Sequence, residues 1–269
     1  MADGNQFKLS DYAAENYEKI PASYILGPWA QVLVCASNLK GGEKILDLAC
    51  GTGIVSRAAA EQLGASGHIT GLDLNAGMLR VAQRIGIKGS CTIEWVEGSA
   101  LDMPLEDGAF DAVLCQQGLQ YFPDQAKAIS ECYRVLRVGG RACFNVWAGT
   151  GPYNEALAQA IATHIGDAEG QQYRKSRDVP NAISLQKLFE EAGFGKIDVT
   201  FKKMSVRLPE IEKFAISHLK GNPISTALDA LSDEAQANLA RDVAAQVEQF
   251  ADGVDVVVPD SIHLIYATK

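Results

Sequence analysis

The run DLACGTG (Asp47–Gly53) places Gly51 and Gly53 between an apolar segment and an amphipathic one. Glycines there let the chain turn tightly and let a ligand meet the backbone without touching a Cβ. The free N–H groups that open the next helix suit an anionic group such as a carboxylate or phosphate. Asp73 closes the following apolar segment about 20 residues on, where a carboxylate commonly accepts from ribose hydroxyls. A nucleotide-type ligand follows from this unit, but its identity does not. A dinucleotide fingerprint needs Gly or Ala at position 56, and this chain has Ser56. Asp47, an acid inside the strand, is poorly placed beside a pyrophosphate and suits a ligand carrying an ammonium or sulfonium. The balance favours S-adenosylmethionine over NAD, with an NAD-dependent oxidoreductase as the rival.

A second group of chemical residues follows the apolar run FDAVLC, in QQGLQYF (Gln116–Phe122). Gln117 and Gln120 are placed to face an acceptor. Glutamine orients by hydrogen bonding and takes no proton at neutral pH. His218, on a helical insertion, is the candidate base, ahead of His164, Tyr12, Tyr17 and Tyr24. His68 begins a strand and His263 lies within one, so both are structural. Cys50 and Cys115 flank the crevice as small apolar fillers. No Asp/Asn cluster suggests Mg²⁺, and the six scattered cysteines form no C-x-x-C pair, so no metal is expected.

The elements that must position these residues alternate. Strands are expected at 44–49, 68–73, 92–97, 110–115 and 141–147. Helices are expected at 54–63, 76–85 and 125–136, with a turn at Arg137–Gly140. Apolar runs of this length between amphipathic helices indicate parallel strands covered on both faces, a doubly wound (Rossmann-like) α/β fold. Residues 10–39 are expected to be helical, capped by Ser10 and divided by Pro21. After Trp147 a helical stretch leads to the alternating strand KIDVTFKKMSVRL, and a second helical insertion precedes SIHLIYATK. We therefore expect one domain over 1–269. It comprises N-terminal helices (1–40), a core (41–200) with an insertion at about 150–183, a helical cap (209–251) and a final strand (252–269).

The 33 acids against 24 bases give a net charge of -9, which disfavours nucleic acid and anionic membranes as partners. No run approaches the roughly 20 continuous apolar residues of a membrane helix, and the polar N-terminus lacks a signal-peptide core. The expectation is a cytoplasmic protein acting on a small molecule, with the oligomeric state open.

ILDLACGTG resembles the first motif of class I S-adenosylmethionine-dependent methyltransferases, and three later signals follow in that superfamily's order. GLDLNAGML resembles the second motif, VEGSALDMPLEDGAFDAVLCQQGLQYFPD the third and fourth, and YRVLRVGGRACFNVW the turn and strand beyond. The wording is most similar to small-molecule enzymes of the ubiquinone/menaquinone-biosynthesis type. The resemblance implies a seven-stranded sheet whose last strand is antiparallel, and S-adenosylmethionine as methyl donor with S-adenosylhomocysteine as product. It implies cofactor contacts at Asp47, Ala49, Gly51, Thr52 and Gly53 in the turn, and at Asp73 for the ribose. Leu74 and Met78 would border the adenine, with Ser99, Ala100 and Leu101 in the adenine loop. Gln116 would sit at the methionine end, and Tyr17 on a helix folded over the ligand. The loop usually reads Gly-Asp-Ala. Here Ser99 replaces the acid, with Asp102 as its substitute. Some relatives carry histidine near Gln120. Its replacement by glutamine implies catalysis by positioning or a base drawn from the caps, with a non-catalytic S-adenosylmethionine-binding sensor or partner protein as the further alternative.

Overall fold

The computed structural model describes residues 10–86, 89–177 and 180–269. Five segments form the first half of the sheet: β1 (Lys44–Leu48), β2 (His68–Asp73), β3 (Thr92–Glu97), β4 (Phe110–Gln116) and β5 (Leu136–Trp147). β6 (Ile197–Leu208) and β8 (Asp255–Thr268) complete the main path, in the order β3-β2-β1-β4-β5-β8-β6, and the short β7 (Ala251–Asp252) pairs with β8 beside it. The first five strands pair in parallel, and β8 runs antiparallel to both β5 and β6. The order reverses between β1 and β4, so their carboxyl ends open a crevice of the kind that binds ligands in such sheets.

Side-chain alternation along each strand distributes the core over both faces. Ile45, Ile69, Ala112, Leu114 and Cys143 point to one face. There α2 (Gly27–Ser37), α3 (Ile54–Leu63) and α6 (Gly151–His164) supply Trp29, Leu33, Leu63 and Leu157. Leu46, Leu48, Val113, Cys115 and Phe144 point to the other. α5 (Gln125–Val135) and α8 (Ala182–Glu191) cover it with Ile129, Leu185 and Phe189. α4 (Ala76–Ile85) packs Met78 and Val81 against Ala13 and Ala14 of α1 (Asp11–Tyr17). α7 (Asp167–Lys175) continues the insertion after β5. α9 (Ile211–Lys220), α10 (Ser225–Asp229) and α11 (Asp233–Gln246) form the second insertion, whose Phe214, Leu219, Leu239 and Val243 join the first face's core.

Three local expectations change. Pro21 does not divide the N-terminal helices. It lies inside a π-helical stretch, Glu18–Leu26, between α1 and α2. Its ring and missing N–H exclude an α-helical bond to the carbonyl four residues back, and the chain passes through this point in the wider i→i+5 geometry instead. Residues 137–140 belong to β5 as an irregularity, because Phe110 pairs with Leu136 and Ala112 with Arg141. The final strand begins at Asp255, after β7 turns back through Gly253 at φ 69°. The helical run Asp11–Ser37, 27 residues long, is by length and composition able to cross a membrane, and half of its most apolar window is buried inside the molecule. That burial is how a core helix earns the same composition. The first nine residues of the N-terminal segment, and positions 178 and 179 of the first insertion, lie outside the described residues.

Candidate active site

A cleft spanning about 1330 Å³ with its mouth opens at the carboxyl ends of β1, β2 and β4. The turn after β1 is shaped by positive φ at Ala49 (55°), Gly51 (55°) and Gly53 (85°). Gly51 donates its N–H to Asp73 Oδ2 at 2.8 Å, and Asn75 N–H donates to Asp73 Oδ1 at 2.8 Å. The carboxylate thus ties the ends of β1 and β2 together, and each oxygen keeps a second lone pair. Burial raises the Asp73 pKa against the pull of those bonds. Asn75 then caps α4, accepting from Gly77 N–H at 2.9 Å and Met78 N–H at 3.3 Å.

Of the expected ligand contacts, Tyr17, Ala49, Gly51, Asp73, Leu74, Met78, Ser99, Ala100, Leu101 and Gln116 line this cleft, as do Gln117 and His218. Four expected residues do not. Asp47 lies behind the wall, its Oδ2 accepting from Ser56 N–H at 2.9 Å and Ser56 Oγ–H at 2.6 Å. Its carboxylate anchors the first turn of α3, and burial pushes its pKa up to about 7. Gly53 is turned toward the protein, where a Cβ would stand 2.5 Å from Trp95 Cη2. Thr52 is buried and its hydroxyl has no partner among the described residues, while its carbonyl accepts from Arg57 Nη1 at 2.6 Å. Gln120 stands behind Gln117, donating to Gln117 Oε1 at 3.3 Å. In the adenine loop the Ser99 hydroxyl accepts from Leu101 N–H at 3.1 Å, and the expected substitute Asp102 is exposed and off the lining.

The end of β4 is the tightest part of the cleft. Gln117 holds φ 53°, a conformation that costs a non-glycine residue roughly 1 kcal/mol or more and gathers at ligand sites. Gly118 follows because a Cβ there would stand 2.7 Å from Ala49 Cβ and 2.8 Å from Cys115 Sγ. Gln116 is fixed at both ends of its amide. Nε2 donates to Leu26 O at 3.0 Å and Oε1 accepts from Asn145 Nδ2 at 3.1 Å. That first bond holds the π-helical segment over the cleft, which also presents Pro21, Ile25 and Leu26 to it. A second tether is the ion pair of Glu18 with Arg57 at 2.6 Å.

His218 is buried beside Tyr153, with Tyr153 Oη 3.0 Å from His218 Nδ1 and the rings stacked 5.6 Å apart. Burial, then the nearby Arg177, push its pKa down to about 3, so it is neutral at any physiological pH. The other candidates leave the site. His164 pairs with Asp242 at 2.7 Å on the surface, Tyr12 is exposed, and Tyr24 packs edge-on against Phe214. The sequence reading missed Tyr121, Phe122, Trp147, Asn154, Tyr173, Ser176 and Arg177, all on the lining.

Strand order, the glycine turn at the β1/β4 crevice and the acid ending β2 form the nucleotide-type cleft of a doubly wound α/β fold. Residues 14–207 match the ubiE/COQ5 methyltransferase family, and the chain belongs to that family. Among curated relatives, demethylmenaquinone methyltransferase of Listeria monocytogenes is 30% identical over 182 residues, covering 63% of this chain and 77% of that protein. The Staphylococcus haemolyticus enzyme of the same name is 32% identical over 183 residues, covering 64% and 76%. Among solved structures, phosphoethanolamine N-methyltransferase 2 of Haemonchus contortus, bound to phosphomonomethylethanolamine and S-adenosylhomocysteine, superposes with a TM-score of 0.62 at 20% identity. The match covers 97% of this chain but only 57% of that one. A putative methyltransferase from Bacillus halodurans gives a TM-score of 0.55 at 24% identity, covering 89% and 98%. The chain is a small-molecule methyltransferase that uses S-adenosylmethionine. Family membership sets aside both the NAD-dependent and the non-catalytic alternatives.

Proposed function

We propose that this enzyme methylates a small cytoplasmic acceptor by positioning alone, with no protein base. The observation that carries this is the state of His218. It is the one histidine on the lining among the described residues, and burial leaves its pKa near 3, far from the range of an efficient general base. S-adenosylmethionine supplies a methyl group already activated on a sulfonium. Gly51 gives its methionyl part an open backbone, and Asp73 accepts from the ribose. Leu74, Met78 and the Ser99–Leu101 turn flank the adenine, with Tyr17 closing over it. Gln116 sits at the methionine end and the strained Gln117 orients the acceptor, whose lone pair bonds the methyl carbon as the C–S electron pair stays on sulfur. Holding the two reactants in line and dry is sufficient work for such a step. The net charge of -9 and the unpaired cysteines support a cytoplasmic, non-nucleic-acid setting.

The family match stops at 207, before α9, whose His218 and following Gly221 and Asn222 complete the cleft wall. Part of the cleft wall is therefore supplied by elements outside the matched region.

The test is His218→Gln, assayed by transfer of labelled methyl to acceptors drawn from a metabolite extract. We expect kcat to stay within about threefold and its pH profile to keep its shape; a loss of about 100-fold or more would show proton transfer by His218. The same variant has a stability signature. Folded His218 binds fewer protons than the unfolded chain between about 3 and 6.5. Wild-type stability therefore falls as pH is lowered through that window. His218→Gln removes this contribution, which thermal melts across the window measure.

A further inference from the structure

Beyond Gln117, away from Asp73, the cleft wall changes character. Tyr121 and Phe122, Trp147 at the end of β5, Asn154 on α6, and Tyr173 and Arg177 from the α7 region line it. Arg177 is only 7% exposed. Its guanidinium lies 3.7 Å above the Trp147 ring, and Nη1 reaches Asp260 Oδ1 at 3.3 Å. Asp260 Oδ2 is occupied by Trp29 Nε1 at 3.0 Å. That contact is the single side-chain hydrogen bond of Arg177 among the described residues, although a guanidinium carries five donors in a planar fork. Asn154 is in a similar state. Its Oδ1 is taken by Tyr173 Oη–H at 3.0 Å, so its amide N–H₂ faces no protein acceptor among the described residues.

The unengaged nitrogens of Arg177 and Asn154 on this wall are therefore donors. Asp73, at the far end, is the only acid on the lining among the described residues. A buried guanidinium with donors to spare is stabilised by an anion that takes a charge-assisted pair of hydrogen bonds. The rings of Trp147, Tyr121 and Tyr173 provide flat apolar contact for the rest of such a molecule. Resting on the methyltransferase reading of the cleft, we propose that the acceptor is a planar organic anion whose carboxylate or phenolate oxygens bind Arg177 and Asn154. An acceptor that arrives ionised also accounts for a wall without a base. A cationic amine would meet the Arg177 guanidinium with no carboxylate on this wall, among the described residues, to pair with it.

Calorimetric titration of the S-adenosylhomocysteine-saturated enzyme tests this with four probes: benzoate, 4-nitrophenolate, neutral benzamide and cationic benzylamine. At least one anion should bind about tenfold more tightly than benzamide, with benzylamine weakest. Benzoate above nitrophenolate would assign a carboxylate, and the reverse a phenolate. Arg177→Gln alone strands Asp260 as a buried unpaired charge, so the informative variant is Arg177→Gln with Asp260→Asn, alongside Arg177→Lys. The double variant should bind S-adenosylhomocysteine within about threefold of wild type and lose the anion preference, while the lysine variant keeps part of it. Wild-type enzyme that binds benzamide or benzylamine as well as the anions overturns the proposal, as does a preference that survives in the double variant. Repeating the titrations without S-adenosylhomocysteine separates the two readings. Anion preference with no S-adenosylhomocysteine binding would overturn the cofactor assignment and leave this one standing.

Discussion

Asp73→Ala should weaken S-adenosylhomocysteine binding by about 100-fold, through two charge-assisted hydrogen bonds lost together and a ribose acceptor lost with them. The carboxylate reaches across the crevice from β2 to Gly51 N–H and back to Asn75 N–H, at 2.8 Å each. Both of its oxygens are therefore committed as acceptors even before a ligand arrives. Asp73→Asn is the sharper variant for that reason. An amide offers one acceptor, and its N–H₂ would face either Gly51 N–H or Asn75 N–H, donor against donor. The asparagine variant should be nearly as impaired as alanine, although it preserves shape and could still bond a hydroxyl. Calorimetry with S-adenosylhomocysteine measures this. Affinity of the asparagine variant within about threefold of wild type would mean that the carboxylate does not organise the turn.

The place of this carboxylate on the cleft was legible in the sequence because it depends on local spacing: one glycine turn, one helix and one strand end. The sheet was legible for a related reason. Strands buried on both faces read as apolar runs, and β2, β3, α3 and α4 fall at the boundaries that the pattern gives. Asp47 shows where spacing misleads. An acid at that point of the motif looks ligand-facing, yet Asp47 alternates inward and Ser56 occupies its Oδ2. Ser56 thus replaces the dinucleotide glycine and also ties the helix to the strand. Pro21 misled because the proline rule assumes α geometry, and the stretch around it is π-helical. The wall around Arg177 had no local signal at all. Arg177 and Asp260 are 83 positions apart, Trp29 and Asp260 are 231 apart, and only the packing of α2 and the first insertion against β5 and β8 assembles them.

The two glycines of the turn should fail in opposite ways when each is replaced by alanine. At Gly51 the nearest atom to an added Cβ is Tyr17 Cε1 at 3.9 Å, so the space is open toward the cleft. Gly51→Ala should mainly weaken S-adenosylhomocysteine binding, with a stability loss near the roughly 1 kcal/mol cost of a left-handed alanine. At Gly53 the added Cβ would sit 2.5 Å from Trp95 Cη2. The same indole also presses on Gly71, where a Cβ would stand 2.5 Å from Trp95 Cε3 and Cζ3. The ring thus packs against two positions that leave no room for a side chain. Gly53→Ala should therefore cost about 2–4 kcal/mol and lower Tm by roughly 5–15 °C. Trp95→Ala in the same background should recover part of that loss, with a coupling of about 1 kcal/mol or more in a double-mutant cycle. Strictly additive losses at Gly53 and Trp95 would refute the clash. Coupling at Gly53 together with a binding defect at Gly51 would assign the motif's two glycines to different duties, one to the ligand and one to the indole that supports the turn from beneath.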